Sequence, residues 1–494
     1  MNSTLPLTQL TLSQLDPRVK TPSYDRTQVQ AGIAHIGVGG FHRSHQAYYT
    51  HQLMQSGEAM DWGICGIGLR AGDRKIKDVL EQQDYLYTLI VRHPDGKVEN
   101  HVIGSIVDFL LSEDEPEAII DKLSSPAIKI VSLTITEGGY NFNPATGEFD
   151  FENPDIKYDL ANPQSPKTVF GFLCASLQRR KQAGTSPFTI QSCDNLQHNG
   201  AVARKMLLAF AERFDAGLAS WIADCVSFPN AMVDRITPVT TAADLEYLDA
   251  SFGLQDQWPV TCEPFTQWVI EDDFSQGRPN WQKVGAQFVP DVTPYEKMKI
   301  RLLNAGHSVL GILGSLHGYD TIDTCMADPL FRKYLRQFMD IEVTPVLDPV
   351  EGIDLDQYKN TLLQRFANPN IKDKLARICL ESSAKLPKFL IPTIQENLQQ
   401  NGSIKYACLV IAAWCYYSDK EVDKDGKPLE IVDAMRDRLH KAAKQRSSDR
   451  LAFLRLKDIF GELSLAPAFV KRYDEMLSAL YLNPDTAAQM KKLL

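Results

Sequence analysis

The chain has 494 residues, 44% of them hydrophobic and 23% charged, so it is too long for a single core and reads as two or three soluble globular domains. A net charge of −10 with no long basic run argues against nucleic acid or an anionic membrane as the main partner. The first twenty residues lack a basic region followed by an apolar stretch, and no apolar run reaches the length of a membrane span, which predicts a cytoplasmic protein. The nine cysteines are scattered and form no C-x-x-C pair, so neither a disulfide framework nor a thiolate zinc site is indicated.

In chain order, "GIAHIGV" reads as a strand, "SHQAYYTHQLMQSG" as a helix and "WGICGIGL" as a second strand. "YLYTLIVRH" and "KVENHVIGSIVDFL" suggest an inserted hairpin or sheet edge. "EPEAIIDKLSS" is helical, "IKIVSLTIT" a buried strand, "KTVFGFLCASLQRRKQAG" a helix, "FTIQSC" a strand and "NGAVARKMLLAFAERF" a helix, before a short strand in "DCVSFPNAMVD". This β-α-β-α rhythm predicts a mostly parallel, doubly wound α/β sheet. From about residue 288 onward the patterns are helical, as in "PYEKMKIRLLNAGHSVLGILGSL", "PLFRKYLRQFMDIEV" and "IKYACLVIAAWCYYS". The expected organisation is a Rossmann-type domain over residues 1–287 followed by a mostly α-helical domain over 288–494.

The first strand runs into "GVGGFHRSHQ". Gly37, Gly39 and Gly40 let a backbone turn tightly and approach a pyrophosphate seated on the next helix. His42 stands where the third glycine of G-x-G-x-x-G is usual, which weakens the fingerprint. Phe41 and Arg43 complete the expected cofactor turn. Asp73, after the second strand, is placed to accept from an adenosine ribose, although it lies further from the glycines than usual and would serve equally as a helix cap. Arg70 and Arg74 beside it leave room for a 2′-phosphate, so NAD is expected with some use of NADP. His42 and His45 have a spacing that suits a metal, but no third ligand follows, and no metal is expected.

"EKMKIRLLNAGHS" places Lys299, Asn304 and His307 in an otherwise apolar helix. At ~100° per residue they fall at ~0°, ~140° and ~80° on the helix wheel, with Glu296 at ~60°. Ile300 and Leu303 lie on the same arc. Such a face can desolvate a lysine and lower its pKa, which suits a catalytic base. The competing reading is a lysine snorkelling from the edge of a core helix, with satisfied polar neighbours.

The segments "HIGVGGFHRSHQAYY", "SLTITEGGY", "SCDNLQHNG", "FPNAMVDRITP", "TPYEKMKIRLLNAGH" and "SSAKLPKF" together resemble the polyol-specific long-chain dehydrogenase/reductase family, with the mannitol 2-dehydrogenases nearest. The resemblance runs in order over nearly the whole chain. It implies a zinc-independent, nicotinamide-dependent enzyme whose active site lies between a Rossmann-type and a helical domain. Lys299 would be general base for polyol oxidation and general acid for ketose reduction. Asn195 and Asn304 would hold the reacting oxygen as an oxyanion hole, and His307 would position it. Asp234, Arg377 and Lys385 would bind substrate hydroxyls, and Glu137 would pass protons between the lysine and solvent. Relatives commonly carry an acidic pair after the second strand; Gly72-Asp73 stands there in this chain, so strict NAD preference does not follow.

D-Mannitol and D-fructose are the implied substrates. D-Arabinitol, fructuronate or tagaturonate, and mannitol 1-phosphate are alternatives within the same chemistry. A non-catalytic nucleotide sensor would need no general base, and a methyltransferase would need no Lys299 cluster. The oligomeric state stays open, and a monomer is compatible with everything above.

Overall fold

The computed structural model describes residues 4–143 and 146–494. The chain divides into two units, one made of Met1–His93 and Lys97–Thr293, the other of Pro94–Gly96 and Pro294–Leu494.

Ten strands of the first unit carry the discussion: β1 (Ala31–Ile36), β2 (Gly63–Gly68), β3 (Tyr87–Arg92), β4 (Val98–Ile103), β5 (Ile106–Leu111), β6 (Ile130–Leu133), β7 (Thr189–Ser192), β8 (Ala231–Asp234), β9 (Gln267–Glu271) and β10 (Gln287–Val289). Five of them form a parallel sheet in the order β5-β2-β1-β6-β7. β1 is buried almost throughout, because a doubly wound sheet is covered on both faces. Ala34 and Ile36 join a core with the helices Pro116–Ser124, Val169–Ala183 and Asn199–Phe214. Ile33, pointing the other way, packs with residues of Gln46–Gln55 and Arg74–Gln82. β1 has β2 on one side and β6 on the other, so the chain reverses its direction of growth there. The crevice beyond such a switch point is where α/β sheets bind ligands.

The run "KVENHVIGSIVDFL" divides at Gly104-Ser105. Its first half pairs antiparallel with β3 as a hairpin, and its second half becomes β5, the edge of the parallel sheet. Val19–Lys20 and Val260–Cys262 extend the hairpin sheet on either side. The strand expected in "FPNAMVD" forms as β8, but it belongs to a separate sheet with β9 and β10 rather than to the parallel one. β6 also ends early, at Leu133, for a reason that lies in the site.

The second unit is helical. Its helix Lys405–Lys420 is buried on every side from Tyr406 to Cys415, as expected of a helix that is apolar all round. Around it pack Ala305–His317, Arg436–Lys444 and Pro467–Leu482. Helix starts follow the sequence chemistry. Asp354 accepts from Asp356 N and Gln357 N, and Asp328 accepts from Leu330 N just ahead of Pro329 at the first helical position.

Candidate functional site

The turn after β1 is built for a close backbone approach. Gly37 has φ +96°, and a Cβ there would lie 2.2 Å from the Thr134 carbonyl oxygen, so only glycine fits. Thr134 Oγ1 donates to Gly37 O at 2.7 Å. Gly39 caps the short helix Gly40–Ser44, whose first N–H groups have no partner within the helix. Nothing stands closer than 3.7 Å to a Cβ built on Gly39 or Gly40. That open, donor-rich turn at the switch point fits a dinucleotide pyrophosphate.

The side chains of the turn divide their work. Phe41 is half-buried and stacks on His45. Arg43 is buried; its guanidinium donates to Trp258 O at 2.5 Å and Gly39 O at 3.4 Å, and it lies over the Tyr87 ring. Burial lowers its pKa to about 10. Arg43 therefore ties the turn to the hairpin sheet from beneath. His42 stacks flat on His35, with ring centroids 3.4 Å apart, and His45 Nε2 bonds Gln267 O at 2.9 Å. Among the described residues no group of three or more His, Cys, Asp or Glu side chains gathers as a metal-ligand set.

Asp73 ends the 3₁₀ turn Ala71–Asp73. Its Oδ2 accepts from Leu69 N and Arg70 N, both at 3.0 Å, while Oδ1 lies 3.6 Å from the Arg70 guanidinium. The carboxylate thus caps its own turn, the alternative reading of this residue. Arg74 pairs with Asp114 and Glu113, and Arg70 remains mostly exposed.

Glu137 and Asn195 lie on the loops that follow β6 and β7. Glu137 sits in the single helical turn Thr136–Gly139, and Asn195 is exposed in the turn beyond β7. Asp194 joins the two loops. Its Oδ1 accepts from Thr136 N at 2.8 Å; its Oδ2 accepts from Ile135 N at 3.0 Å and from the Tyr140 hydroxyl at 2.7 Å. Capture of these two N–H groups is why β6 stops at Leu133. Burial pushes the Asp194 carboxyl and the Tyr140 phenol upward in pKa. Asn199 Nδ2 donates to Asp194 O at 2.9 Å and Ala231 O at 2.8 Å, and its Oδ1 accepts from Ala231 N. The β7 loop is thereby fixed to β8, whose last residue is the buried Asp234. Sequence reasoning passed over Asp194 and Asn199. The signal was present as polar residues immediately beyond a buried strand, within "CDNLQHNG".

In the helical unit, Lys299, Asn304 and His307 lie on one uninterrupted helix, made of Thr293–Lys299, a π-helical segment Ile300–Asn304, and Ala305–His317. The π segment changes the expected geometry. Ala305 N bonds Ile300 O, an i→i+5 link. Five residues of π winding make slightly more than one turn, so Asn304 comes to ~50° from Lys299 instead of the ~140° of a regular α-helix. His307, three α-residues further, then returns close to the azimuth of Lys299. What the sequence offered as a broad face is a narrow stripe. Lys299 is 6% exposed and Asn304 9%, and His307 stacks on Phe366 at 4.4 Å. Asn304 Oδ1 is buried without a hydrogen-bond partner among the described residues. A buried unpaired amide oxygen is costly, and a water or a ligand hydroxyl could satisfy it. On the other side of the helix, the π-segment residue Arg301 donates to Thr393 Oγ1 and Glu396 Oε1 at 2.9 and 2.8 Å, which anchors the winding to the helix Ile391–Gln399.

Arg377 makes a bidentate pair with the buried Asp373, and that pairing raises its pKa. Lys385 Nζ donates to Ile378 O at 3.1 Å, and burial lowers its pKa. Both therefore belong to one local cluster around the short helix Leu375–Ile378.

A switch-point glycine turn on a doubly wound sheet defines the class, a Rossmann-type dinucleotide-binding protein. Comparison narrows it. The family model described as the mannitol dehydrogenase Rossmann domain matches residues 31–283, and the mannitol dehydrogenase C-terminal domain matches 291–481. The chain belongs to the mannitol dehydrogenase family. It is 50% identical over 450 residues to a mannitol 2-dehydrogenase of Aspergillus fumigatus, covering 90% of this chain and 89% of the relative. It is 47% identical over 468 residues to one of Aspergillus oryzae, covering 93% of each. Among solved structures, the Pseudomonas fluorescens mannitol 2-dehydrogenase in ternary complex with NAD and D-mannitol is 50% identical, with 99% of both chains covered and a TM-score of 0.90. A D-sorbitol dehydrogenase in substrate-free form is 38% identical, covers 98% of this chain and all of its own, and has a TM-score of 0.91.

Proposed function

We propose that this protein is an NAD-dependent polyol dehydrogenase that oxidises D-mannitol at C2 to D-fructose and catalyses the reverse reduction. The observation that carries the reading is the stripe of buried Lys299 and Asn304 with half-buried His307 in a chain 50% identical, end to end, to a protein solved with NAD and D-mannitol. Gly37, Gly39, Gly40 and Phe41 would hold NAD, with Arg43 bracing the turn and Asp73 facing the ribose. When bound, NAD supplies the hydride acceptor.

The protein's own task is the proton and the charge. Lys299, in its unprotonated form, takes the C2 hydroxyl proton, and as an ammonium returns it in ketose reduction. Asn195 and Asn304 donate to the oxygen as negative charge develops, and His307 orients it. Asp234, Arg377 and Lys385 hold the remaining hydroxyls, and Glu137 passes the proton between Lys299 and solvent. None of these roles requires a second copy of the chain. Among the described residues no helix is long and apolar enough to cross a membrane, and all nine cysteines are free, which supports a reducing, cytoplasmic setting.

The test is a panel of D-mannitol, D-sorbitol, D-arabinitol, D-fructose, fructuronate, tagaturonate and mannitol 1-phosphate, assayed with NAD(H) and NADP(H), with and without a chelator. D-Mannitol and D-fructose should give the highest kcat/KM with NAD(H), unaffected by chelation. Turnover confined to a uronate or a phosphorylated sugar would overturn the substrate. Complete loss on chelation, restored by zinc, would overturn the lysine mechanism.

A further inference from the structure

Two loops that carry chemistry leave the sheet at neighbouring strands, and a single buried side chain sets the distance between them. Asp194 is 7% exposed. Both of its oxygens face donors on the β6 loop, Thr136 N on one and Ile135 N with the Tyr140 hydroxyl on the other. Its backbone immediately precedes Asn195, and its carbonyl is held by Asn199. The residue it grips, Thr136, has φ +62°, which is unfavourable for a β-branched side chain and persists only where the surroundings enforce it. Glu137 follows directly. Tyr140, at the far end of the same helical turn, shares its hydroxyl between Asp194 and Ser192 Oγ at 2.6 Å. The β6 loop is therefore clamped at both ends of its helical turn to one carboxylate.

We propose that Asp194 is a positioning residue that fixes Glu137 and Asn195 relative to each other, so that the rate of the chemical step depends on a carboxylate that touches no reacting atom. The inference rests on the roles assigned above to Glu137 and Asn195. An amide cannot replace the carboxylate here. Whichever way Asn is turned, its NH₂ meets an N–H or O–H donor, so at least one clamp bond becomes a repulsion. A misplacement of about 1 Å at a reacting group costs ~10²-fold in rate. Asp194→Asn should therefore lower kcat by ~10²-fold, while KM for D-mannitol and the affinity for NAD stay near wild type. Tyr140→Phe removes one clamp bond without opening a cavity and should lower kcat several-fold with the same unchanged KM; it serves should Asp194→Asn fold poorly.

A double-mutant cycle separates positioning from general structural support. If Asp194 acts through its two neighbours, the Asp194→Asn penalty on kcat should shrink to a few-fold in a chain already carrying Asn195→Ala and Glu137→Gln. Tyr140→Phe should lose its effect in the same background. Sensitive single variants Asn195→Ala and Glu137→Gln, together with an undiminished Asp194→Asn or Tyr140→Phe penalty in that background, overturn this inference alone. Asn195→Ala and Glu137→Gln variants with wild-type turnover overturn the assigned roles and this inference with them. Asp194→Asn and Tyr140→Phe proteins that both turn over at the wild-type rate overturn it as well.

Discussion

The two units place their candidate functional side chains by different means. In the sheet unit Glu137, Asn195 and Asp73 stand on strand-end loops, and each loop is held by a side-chain carboxylate or amide bonded to backbone N–H and C=O groups. In the helical unit Lys299, Asn304 and His307 are set by winding, because an i→i+5 turn lines up residues that a regular α-helix would spread apart. Positions held by a few directed bonds are sensitive to the loss of one atom. Positions held by register tolerate many side-chain changes nearby and fail when the residue count changes.

The largest effect expected is that of Lys299→Ala. It removes the proposed proton acceptor and leaves the glycine turn intact, so turnover should fall by ~10²–10⁴ while NAD binding and thermal stability persist. In the wild type the oxidation rate should rise with pH as the lysine loses its proton, and the reduction rate should fall through the corresponding transition. Turnover, NAD titration and melting of the same variant decide the matter, and a folded, NAD-binding Lys299→Ala with near wild-type turnover sinks the mechanism. Next comes insertion of one alanine after Leu302, which advances everything beyond it by ~100° and swings Asn304 and His307 off the azimuth of Lys299. Helical circular dichroism should be retained while turnover falls by ~10²; an insertion variant as active as wild type would show that the register of the stripe carries no function.

Asp73→Ala tests the loop logic at a smaller scale. If the carboxylate faces the ribose as proposed it would repel a 2′-phosphate, so its loss should move the kcat/KM ratio toward NADP(H) by about tenfold, roughly 1.4 kcal/mol. Because Oδ2 also caps Leu69 and Arg70 N–H groups, the variant should lose about 1 kcal/mol of stability as well. A strong wild-type preference for NADP(H) would contradict this account of the turn.

The smallest effect separates the units by pH. His35 and His51 are buried, which lowers both to about 3, and His42 is pushed well below its ordinary value by burial beside His35. Below the unfolded value of 6.5 the unfolded chain binds protons that the folded one refuses, so this contribution falls as pH drops from there toward 3. Glu342 in the helical unit is shifted the other way, to about 7 by burial. Between its unfolded value of 4.5 and 7 the folded state holds the extra proton, so stability is lost as pH rises through that window. Each group contributes on the order of 1 kcal/mol per pH unit within its range. Glu342→Gln should therefore reduce the fall in melting temperature between about pH 5 and about pH 8. An unchanged difference between variant and wild type would remove Glu342 as its cause.

The parallel strands, the helical second half, the glycine turn and the Lys-Asn-His run were legible because they are local. Alternation marks strands, a 3.6-residue period marks helices, and glycine marks a turn that no side chain permits. The allocation of strands to sheets was not legible. "KVENHVIGSIVDFL" reads as one run, but Ser105 Oγ bonds Ala47 O where the chain passes from the hairpin into the parallel sheet. β8 looks like one more parallel strand, but pairs antiparallel with β9, whose residues lie more than thirty positions later. Pairing depends on which distant backbone supplies the partner, and periodicity holds no record of it. In the site, the residue types were readable and their arrangement was not. The sequence by itself determined that a lysine, an asparagine and a histidine were present in an apolar helix and that a second asparagine stood beyond a strand. Only the tertiary structure decided that a π turn, braced by Arg301 on Thr393 and Glu396, puts three of them on one stripe, and that Asp194 reaches across from one strand end to grip the next. Both depend on contacts between residues tens of positions apart, where the free energy of a winding or a loop is set by its surroundings rather than by its own amino acids.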